Sequence, residues 1–227
     1  MTFIRDKLQT IGANIKRFSS VYQRSPNTVN LLAVSKKHRA DKIRQAFEAG
    51  QIAFGENYAQ ELLEKQKELV DLDIEWHFIG PLQSNKTKRI AETVSWVHTI
   101  DRFKIAKRLS DQRPDELSPI SVCIQVNISD EESKSGVSIQ DLPTLAKEIS
   151  TLSGINFRGL MVIPPPKKDI EKQRTIFSKV VDLQKQLNKQ GFNIDTLSMG
   201  MSHDMEAAIA EGATIVRIGT AIFGDRE

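Results

Sequence analysis

The sequence predicts a (β/α)8 TIM barrel with one extra helix before the first strand. Eight short apolar segments alternate with helical patterns along the 227 residues. Strands that are apolar on both faces and separated by helices are typical of a parallel sheet covered by helices. Eight such units in about 200 residues suit a closed barrel at the short end of its usual size. An open doubly wound sheet is the alternative, because periodicity alone does not distinguish the two.

The elements follow one another in a regular order. Apolar residues recur at helical spacing from Phe3 to Phe18, which predicts an amphipathic first helix that ends before Ser25 and Pro26. Predicted strands cover residues 30–35, 52–55, 74–80, 96–100, 120–128, 156–163, 194–200 and 214–219. Predicted helices cover residues 41–50, 57–70, 85–94, 102–111, 139–150, 169–191 and 203–212. No linker interrupts this order, so residues 1–227 are expected to form a single domain.

Composition excludes several classes of protein. The net charge of +3 comes from 32 basic and 29 acidic residues spread over many segments, which argues against nucleic acid as the main partner. Cys123 is the only cysteine, so an internal disulfide is excluded and a reducing cytoplasm is expected. No apolar run approaches the ~18–20 residues of a membrane span, and the charged N-terminus does not resemble a signal peptide. We therefore expect a cytoplasmic protein without membrane contact.

Polar residues cluster where the predicted strands end. In TIM barrels the functional site lies at the C-terminal ends of the strands. The residues at these positions are Lys36, Glu56, Asn57, Gln83, Ser84, Asn85, Asn127, Ser198, Ser202, Arg217, Gly219 and Thr220. We expect them to converge on one mouth.

Lys36 directly follows the first predicted strand. Strand alternation places Leu32, Val34 and Lys36 on one face, so Lys36 and Lys37 point in opposite directions. If Lys36 faces the barrel axis, burial lowers the pKa of its amine and makes it a nucleophile toward carbonyl groups. The alternative is that both lysines end the strand and extend to water.

Residues 198–224 predict a phosphate site. Gly200 and Gly219 allow close approach of the backbone to a ligand, Ser202 is placed to cap the following helix, and Gly212 suits the end of that helix. The loops after strands 7 and 8 commonly bind phosphate in this fold. Alternatively, these residues are only a helix cap and turn glycines.

The histidines give no metal-ligand spacing, and one cysteine provides no thiolate pair, so we predict no metal site. His77 is interpreted as a core or mouth histidine and not as a general base. Lys134 lies in the polar loop of residues 127–138, where it is either a solvated charge or a group that closes over the mouth.

A lysine amine and a phosphate site together suit pyridoxal 5'-phosphate (PLP), whose aldehyde reacts with an amine. From about residue 5 to its end, the sequence closely resembles the YggS/PROSC family of PLP homeostasis proteins, single-domain relatives of the barrel half of alanine racemase. The matching motifs are AVSK (33–36), FGENY (54–58), WHFIGPLQSNK (76–86), KSGV (134–137), FRGLMVI (157–163) and SMGMS…VRIGTAIFG (198–224). His203 is one variation, since many members carry a small or acidic residue there.

The resemblance implies a PLP site made of Lys36, Asn57, Met199, Ser202, Arg217, Gly219 and Thr220. Lys36 would form an aldimine with PLP. Ser202, Gly219 and Thr220 would hold the phosphate. Arg217 would lie against the pyridine nitrogen, while Asn57 and the residues near Met199 line the ring.

Three functions follow from this site. The favoured one is a non-catalytic carrier or buffer of PLP that supplies the free pool or PLP-dependent apo-enzymes. The second is an amino-acid racemase, which needs a second base; alanine racemase takes a tyrosine from another domain, and this chain has only Tyr22 and Tyr58 and ends at Glu227. A cofactor-free Schiff-base aldolase is the third. A monomer is expected, because the racemase dimer interface depends on that other domain.

Overall fold

A computed structural model describes residues 3–129 and 135–225 of the chain. Its strands are β1 (Asn30–Val34), β2 (Ala53–Glu56), β3 (Glu75–Phe78), β4 (Trp96–Ile100), β5 (Ile120–Gln125), β6 (Ile155–Met161), β7 (Thr196–Ser198) and β8 (Ile215–Ile218). Its helices are α1 (Phe3–Val21), α2 (Ala40–Glu48), α3 (Ala59–Glu68), α4 (Thr87–Thr93), α5 (Phe103–Asp111), α6 (Leu142–Ile149), α7 (Ile170–Lys189), α8 (Met205–Glu211) and α9 (Thr220–Phe223). All eight predicted strands are present.

The sheet is a closed barrel of parallel strands paired in sequence order. Closure comes from β8, which pairs with β1 so that Leu32 lies opposite Arg217 and Ala33 opposite Ile218. The predicted (β/α)8 barrel is confirmed, and the open sheet is excluded.

Apolar side chains form two clusters on the two faces of the sheet. The larger cluster includes Ala33 and fills the space between the strands and the helices. The smaller one consists of Leu32, Val34, Ile79 and Ile215. Because Leu32 and Val34 alternate with Ala33 along β1, this smaller cluster lies inside the barrel.

The extra helix α1 covers the outside of the barrel where the first and last strands meet. It packs against α2, α8 and α9, and it buries Ile4, Ile11, Ile15 and Phe18. Phe3, which the apolar pattern included, is 62% exposed because it stands at the first position of the helix. Within the described residues, no helix combines the length and the apolar character that crossing a membrane requires.

The region around α8 differs from the prediction in one respect. The N-cap position belongs to Asp204, whose Oδ1 accepts a 2.5 Å hydrogen bond from the backbone N–H of Met201. Ser202 is therefore not the cap, since the turn that precedes α8 is closed by Asp204. The predicted helix end is confirmed at Gly212, whose φ of +113° is in the left-handed region.

The close approach of the loops after β2 and β3 yields a stability prediction. A Cβ on Gly80 would lie 1.9 Å from the backbone oxygen of Asn57, so Gly80→Ala must displace one of the loops. We expect Gly80→Ala to lower the free energy of unfolding by about 1–3 kcal/mol, measured by urea denaturation. Gly12→Ala is the control: nothing lies within 4 Å of its added Cβ, so a gain of about 0.5–1 kcal/mol is expected from helix propensity. Equal effects of the two changes would contradict this packing.

Candidate functional site

One cavity opens at the C-terminal ends of the strands, with a volume of about 310 Å³. Six residues that the sequence analysis selected line it: Lys36, Asn57, Ser202, Arg217, Gly219 and Thr220. They come from the ends of β1, β2, β7 and β8, and barrel closure brings them together. The cavity thus combines an amine, a guanidinium, an amide and two hydroxyl groups.

Lys36 and Lys37 have different surroundings. Lys36 is half-buried and lines the cavity. Lys37 is exposed, has a φ of +61°, and donates its backbone N–H to Oε1 of Glu61 at 2.5 Å. Only the first of the two amines therefore faces the cavity.

A buried ion network lies behind the Lys36 loop. Lys65 Nζ donates to Glu56 Oε1 at 2.7 Å, to Glu61 Oε1 at 2.6 Å and to the backbone oxygen of Ser35 at 2.8 Å. Ser35 Oγ also donates to Glu56 Oε1 at 2.6 Å. Together with the Glu61 contact to the Lys37 N–H, these bonds hold the peptide groups on both sides of Lys36.

Glu56 therefore has a different place from the one expected. The sequence predicts Glu56 among the polar residues of the mouth, but its side chain is fully buried and bonds Ser35 and Lys65. Burial raises the pKa of Glu56 to about 7. Sequence reasoning missed Lys65; its only signal was the i,i+4 spacing from Glu61.

Arg217 is a buried cation at the edge of the cavity. Its Nη1 donates to the backbone oxygen and to the hydroxyl of Ser198, at 2.5 and 2.9 Å, and its Nη2 donates to the backbone oxygen of Val162 at 2.8 Å. Burial lowers the pKa of Arg217 to about 10, so it stays protonated at neutral pH. Two of its five N–H groups are left for other partners.

The two glycines predicted to approach a ligand have different reasons to be glycine. At Gly219 a Cβ would lie 3.0 Å from the backbone oxygen of Val34, at the cavity wall. At Gly200, whose φ is +95°, a Cβ would lie 2.6 Å from the Cβ of Ala208 in α8. Gly200 is thus required for the packing of the turn after β7 against α8, and it does not line the cavity.

Other predicted residues lie away from the cavity. Met199 is fully buried in the larger apolar cluster, because strand alternation turns its side chain outward from the barrel interior. Residues 83–85 and Asn127 are not part of the cavity lining; the backbone oxygen of Ser84 accepts bonds from Thr87 and Arg108 instead. The prediction for Lys134 falls outside the described residues.

The structure adds cavity residues that sequence reasoning did not select. His38, Ile163, Met201 and His203 also line the cavity. His38 is 4% exposed and packs against the ring of Phe223, with centroids 5.2 Å apart. In the sequence, only the position of these four residues indicated a place in the cavity, since each follows a strand within a few residues. His77, in contrast, is 3% exposed and does not line this cavity, in agreement with a core histidine.

Comparison with known proteins places this barrel in a family. The chain matches the family described as "Alanine racemase, N-terminal domain" over residues 7–227. It is 52% identical over 227 residues to the pyridoxal phosphate homeostasis protein of Pseudomonas aeruginosa, covering 100% of this chain and 97% of that protein. It is 48% identical over 230 residues to the protein of the same name in Escherichia coli, covering 100% and 98%.

Solved structures agree with this placement. PipY of Synechococcus elongatus, solved without PLP and with PLP bound, is 38% identical with a TM-score of 0.82, covering 92% of this chain and 99% of that one. Alanine racemase of Clostridium difficile is 14% identical with a TM-score of 0.75, covering 97% and 57%, which shows a shared fold alone.

The fold and the cavity define a barrel of the type found in the N-terminal domain of alanine racemase. Within this class, the chain belongs to the family of pyridoxal phosphate homeostasis proteins.

The raised pKa of Glu56 predicts a pH-dependent stability difference between the wild type and Glu56→Gln. Because the pKa of Glu56 is about 7 in the folded protein and 4.5 ordinarily, the protonated side chain stabilises the folded state relative to the charged one. This contribution is fully present below pH 4.5 and is lost as the pH rises through 7. Relative to Glu56→Gln, which keeps an acceptor oxygen, the wild type should lose about 3 kcal/mol across that range. Urea unfolding from pH 4 to 8 measures the difference; a flat or rising difference would contradict the assignment.

Proposed function

We propose that this protein holds PLP covalently at Lys36 and acts in PLP homeostasis as a carrier or buffer without turnover. The observation that supports the proposal most strongly is that Lys36 shares one cavity with Ser202, Gly219 and Thr220. A small molecule that carries both an aldehyde and a phosphate needs an amine for the aldehyde and hydrogen-bond donors for the phosphate. The names of the relatives and the PLP bound to PipY support the same proposal.

The residues present fit the cofactor. The side-chain oxygen of Asn57 is buried without a hydrogen-bond partner among the described residues, and Asn57 lines the cavity. The backbone N–H groups of residues 220 and 221 begin α9, where a helix offers them no acceptor. The volume of about 310 Å³ falls within the range of small-molecule sites. Met199 is left out of the proposed ring contacts, and Met201 takes its place.

Arg217 would determine the electronic state of the bound cofactor. PLP supplies an electron sink for amino-acid chemistry when its ring nitrogen is protonated. A guanidinium only donates hydrogen bonds, so Arg217 is compatible with an unprotonated ring nitrogen. The site therefore favours holding the aldehyde over activating a substrate.

The recipients of the cofactor in this proposal are the free PLP pool and PLP-dependent apo-enzymes. In this proposal the protein is a cytoplasmic monomer that acts without nucleic acid or a membrane. We infer a structural role for the thiol of Cys123, because burial raises the pKa of this thiol to about 12.

Lys36→Ala tests the covalent link. We expect this change to abolish the long-wavelength absorption of bound PLP and to leave the circular dichroism unchanged, because Lys36 is only half-buried and adds little to the core. Lys37→Ala is the matched control, since it removes the same side chain from the adjacent, exposed position. Absorption that persists in Lys36→Ala, or disappears in Lys37→Ala, would refute the assignment.

Ser202→Ala and Thr220→Val test the phosphate site. Each should weaken PLP binding by about 1–3 kcal/mol, the value of a hydrogen bond to a charged group. Binding of pyridoxal, which lacks the phosphate, should be equal in the wild type and both variants. Titration followed by absorbance measures both ligands, and an equal loss for pyridoxal and PLP would place the phosphate elsewhere.

An amino-acid racemase is the second candidate, and one observation favours it. His38 and His203 line the cavity together with Lys36, so two imidazoles stand where a second base could act. The buried Arg217 weighs against this candidate, because the ring nitrogen would remain unprotonated.

Isotope exchange separates the two candidates. With L-alanine in deuterated water, the PLP-loaded wild type should show no Cα exchange above that of free PLP, measured by proton NMR. Exchange that is fast in the wild type and lost in Lys36→Ala and in His203→Ala or His38→Ala would establish the racemase instead.

A further inference from the structure

We propose that Ser198, His98 and His77 are positioning residues for Arg217, and that they form a buried chain of hydrogen bonds that sets how the guanidinium meets the cofactor. This inference rests on the proposed function, in which Arg217 lies against the ring nitrogen of PLP. The chain runs through the interior of the barrel, away from the cavity.

Each contact in the chain is short. Arg217 Nη1 donates to Ser198 Oγ at 2.9 Å, and Ser198 Oγ lies 2.7 Å from His98 Nδ1. His98 Nε2 lies 2.9 Å from His77 Nδ1. His77 Nε2 is 3.2 Å from Glu75 Oε1, although the alignment there falls short of a hydrogen bond. Ser198 and His98 are fully buried, and His77 is 3% exposed.

The chain crosses the barrel from one side to the other. His98 lies on β4 and Ser198 on β7, which are not neighbours in the sheet, so their contact spans the interior. His77 stacks on Trp96 at a centroid distance of 5.6 Å. Glu75, His77 and Trp96 line a second cavity of about 330 Å³ at the N-terminal ends of the strands. The chain therefore links the two ends of the barrel.

In the proposed chain, Arg217 sets the direction of the protons. A guanidinium only donates, so Ser198 Oγ accepts from it, and the Ser198 hydroxyl then donates to its remaining close partner, His98 Nδ1. His98 consequently carries its proton on Nε2 and donates to His77 Nδ1, which leaves the proton of His77 on its own Nε2. Burial lowers the pKa of both histidines, in agreement with two neutral rings.

This arrangement fixes the orientation of the guanidinium. With the Ser198 hydroxyl engaged by His98, its oxygen is held as an acceptor for Nη1. Without His98 the hydroxyl proton would have no fixed acceptor, so the hydroxyl would rotate and the Nη1 bond to its oxygen would lose its fixed direction. The histidines thus act on the cofactor through Arg217 and do not touch it.

The first arm of the test reads the histidine tautomers in the cofactor-free protein. Long-range 1H–15N NMR spectra of 15N-histidine-labelled wild type should show His77 and His98 as neutral rings protonated on Nε2. In Ser198→Ala, the signal of His98 should move toward a mixture of tautomers. A charged ring, or a proton on Nδ1 of His98 in the wild type, would overturn the proposal.

The second arm measures the effect on PLP. Ser198→Ala should weaken PLP binding about tenfold and shift the absorption maximum of the bound cofactor. Cys123→Ala is the matched control, since it removes one heavy atom from another fully buried position of the barrel and should leave both readouts near the wild-type values. Identical results for the two variants would overturn the inference.

The two arms separate this inference from the proposed function. If PLP does not attach at Lys36 in the wild type, the proposed function fails. The positioning role toward PLP then fails as well, even if His77 and His98 have the expected tautomers. If PLP attaches at Lys36 but Ser198→Ala behaves as Cys123→Ala does, only the positioning role is lost.

Discussion

The pairing of β1 with β8 is the constraint on which the site depends. It joins the first and last strands of the barrel, with Leu32 opposite Arg217 and Ala33 opposite Ile218. Residues that follow these strands then become neighbours, which is why Lys36 shares a cavity with Gly219. The covering helix α1 packs over the same junction. A change that opened this seam would separate the amine from the proposed phosphate site, whatever happened elsewhere in the barrel.

One buried cation, Arg217, lines the cavity and a second, Lys65, lies behind the Lys36 loop, and the two are balanced differently. Lys65 is paired with Glu56 and Glu61, whereas Arg217 bonds neutral oxygens of Ser198 and Val162. Burying a charge costs free energy unless hydrogen bonds satisfy it, and each of these cations makes three hydrogen bonds to oxygen atoms. Lys65 holds the backbone around Lys36, and Arg217 presents donors toward the cavity.

The closed barrel was predictable because strand and helix periods alternate eight times, but periodicity alone did not exclude an open sheet, since closure depends on the pairing of the distant strands β1 and β8. Lys36 was recognisable two residues beyond a buried strand. Lys65 was not, because a lysine in an amphipathic helix has the same pattern whether it is buried or solvated. Met199 and Met201 have the same parity along the chain, so alternation alone does not distinguish them; the left-handed φ of Gly200 (+95°) lies between the buried Met199 and the cavity residue Met201. His98 gave no signal because its partner Ser198 lies on a strand across the barrel.

The central claim is that one amine in this cavity carries the cofactor. Incubation of the protein with PLP, reduction with borohydride, proteolysis and mass spectrometry would locate the attachment directly. The account predicts one major reduced adduct, on the peptide that contains Lys36. A major adduct on Lys37, Lys65 or Lys134, or none above that of denatured protein, would contradict it.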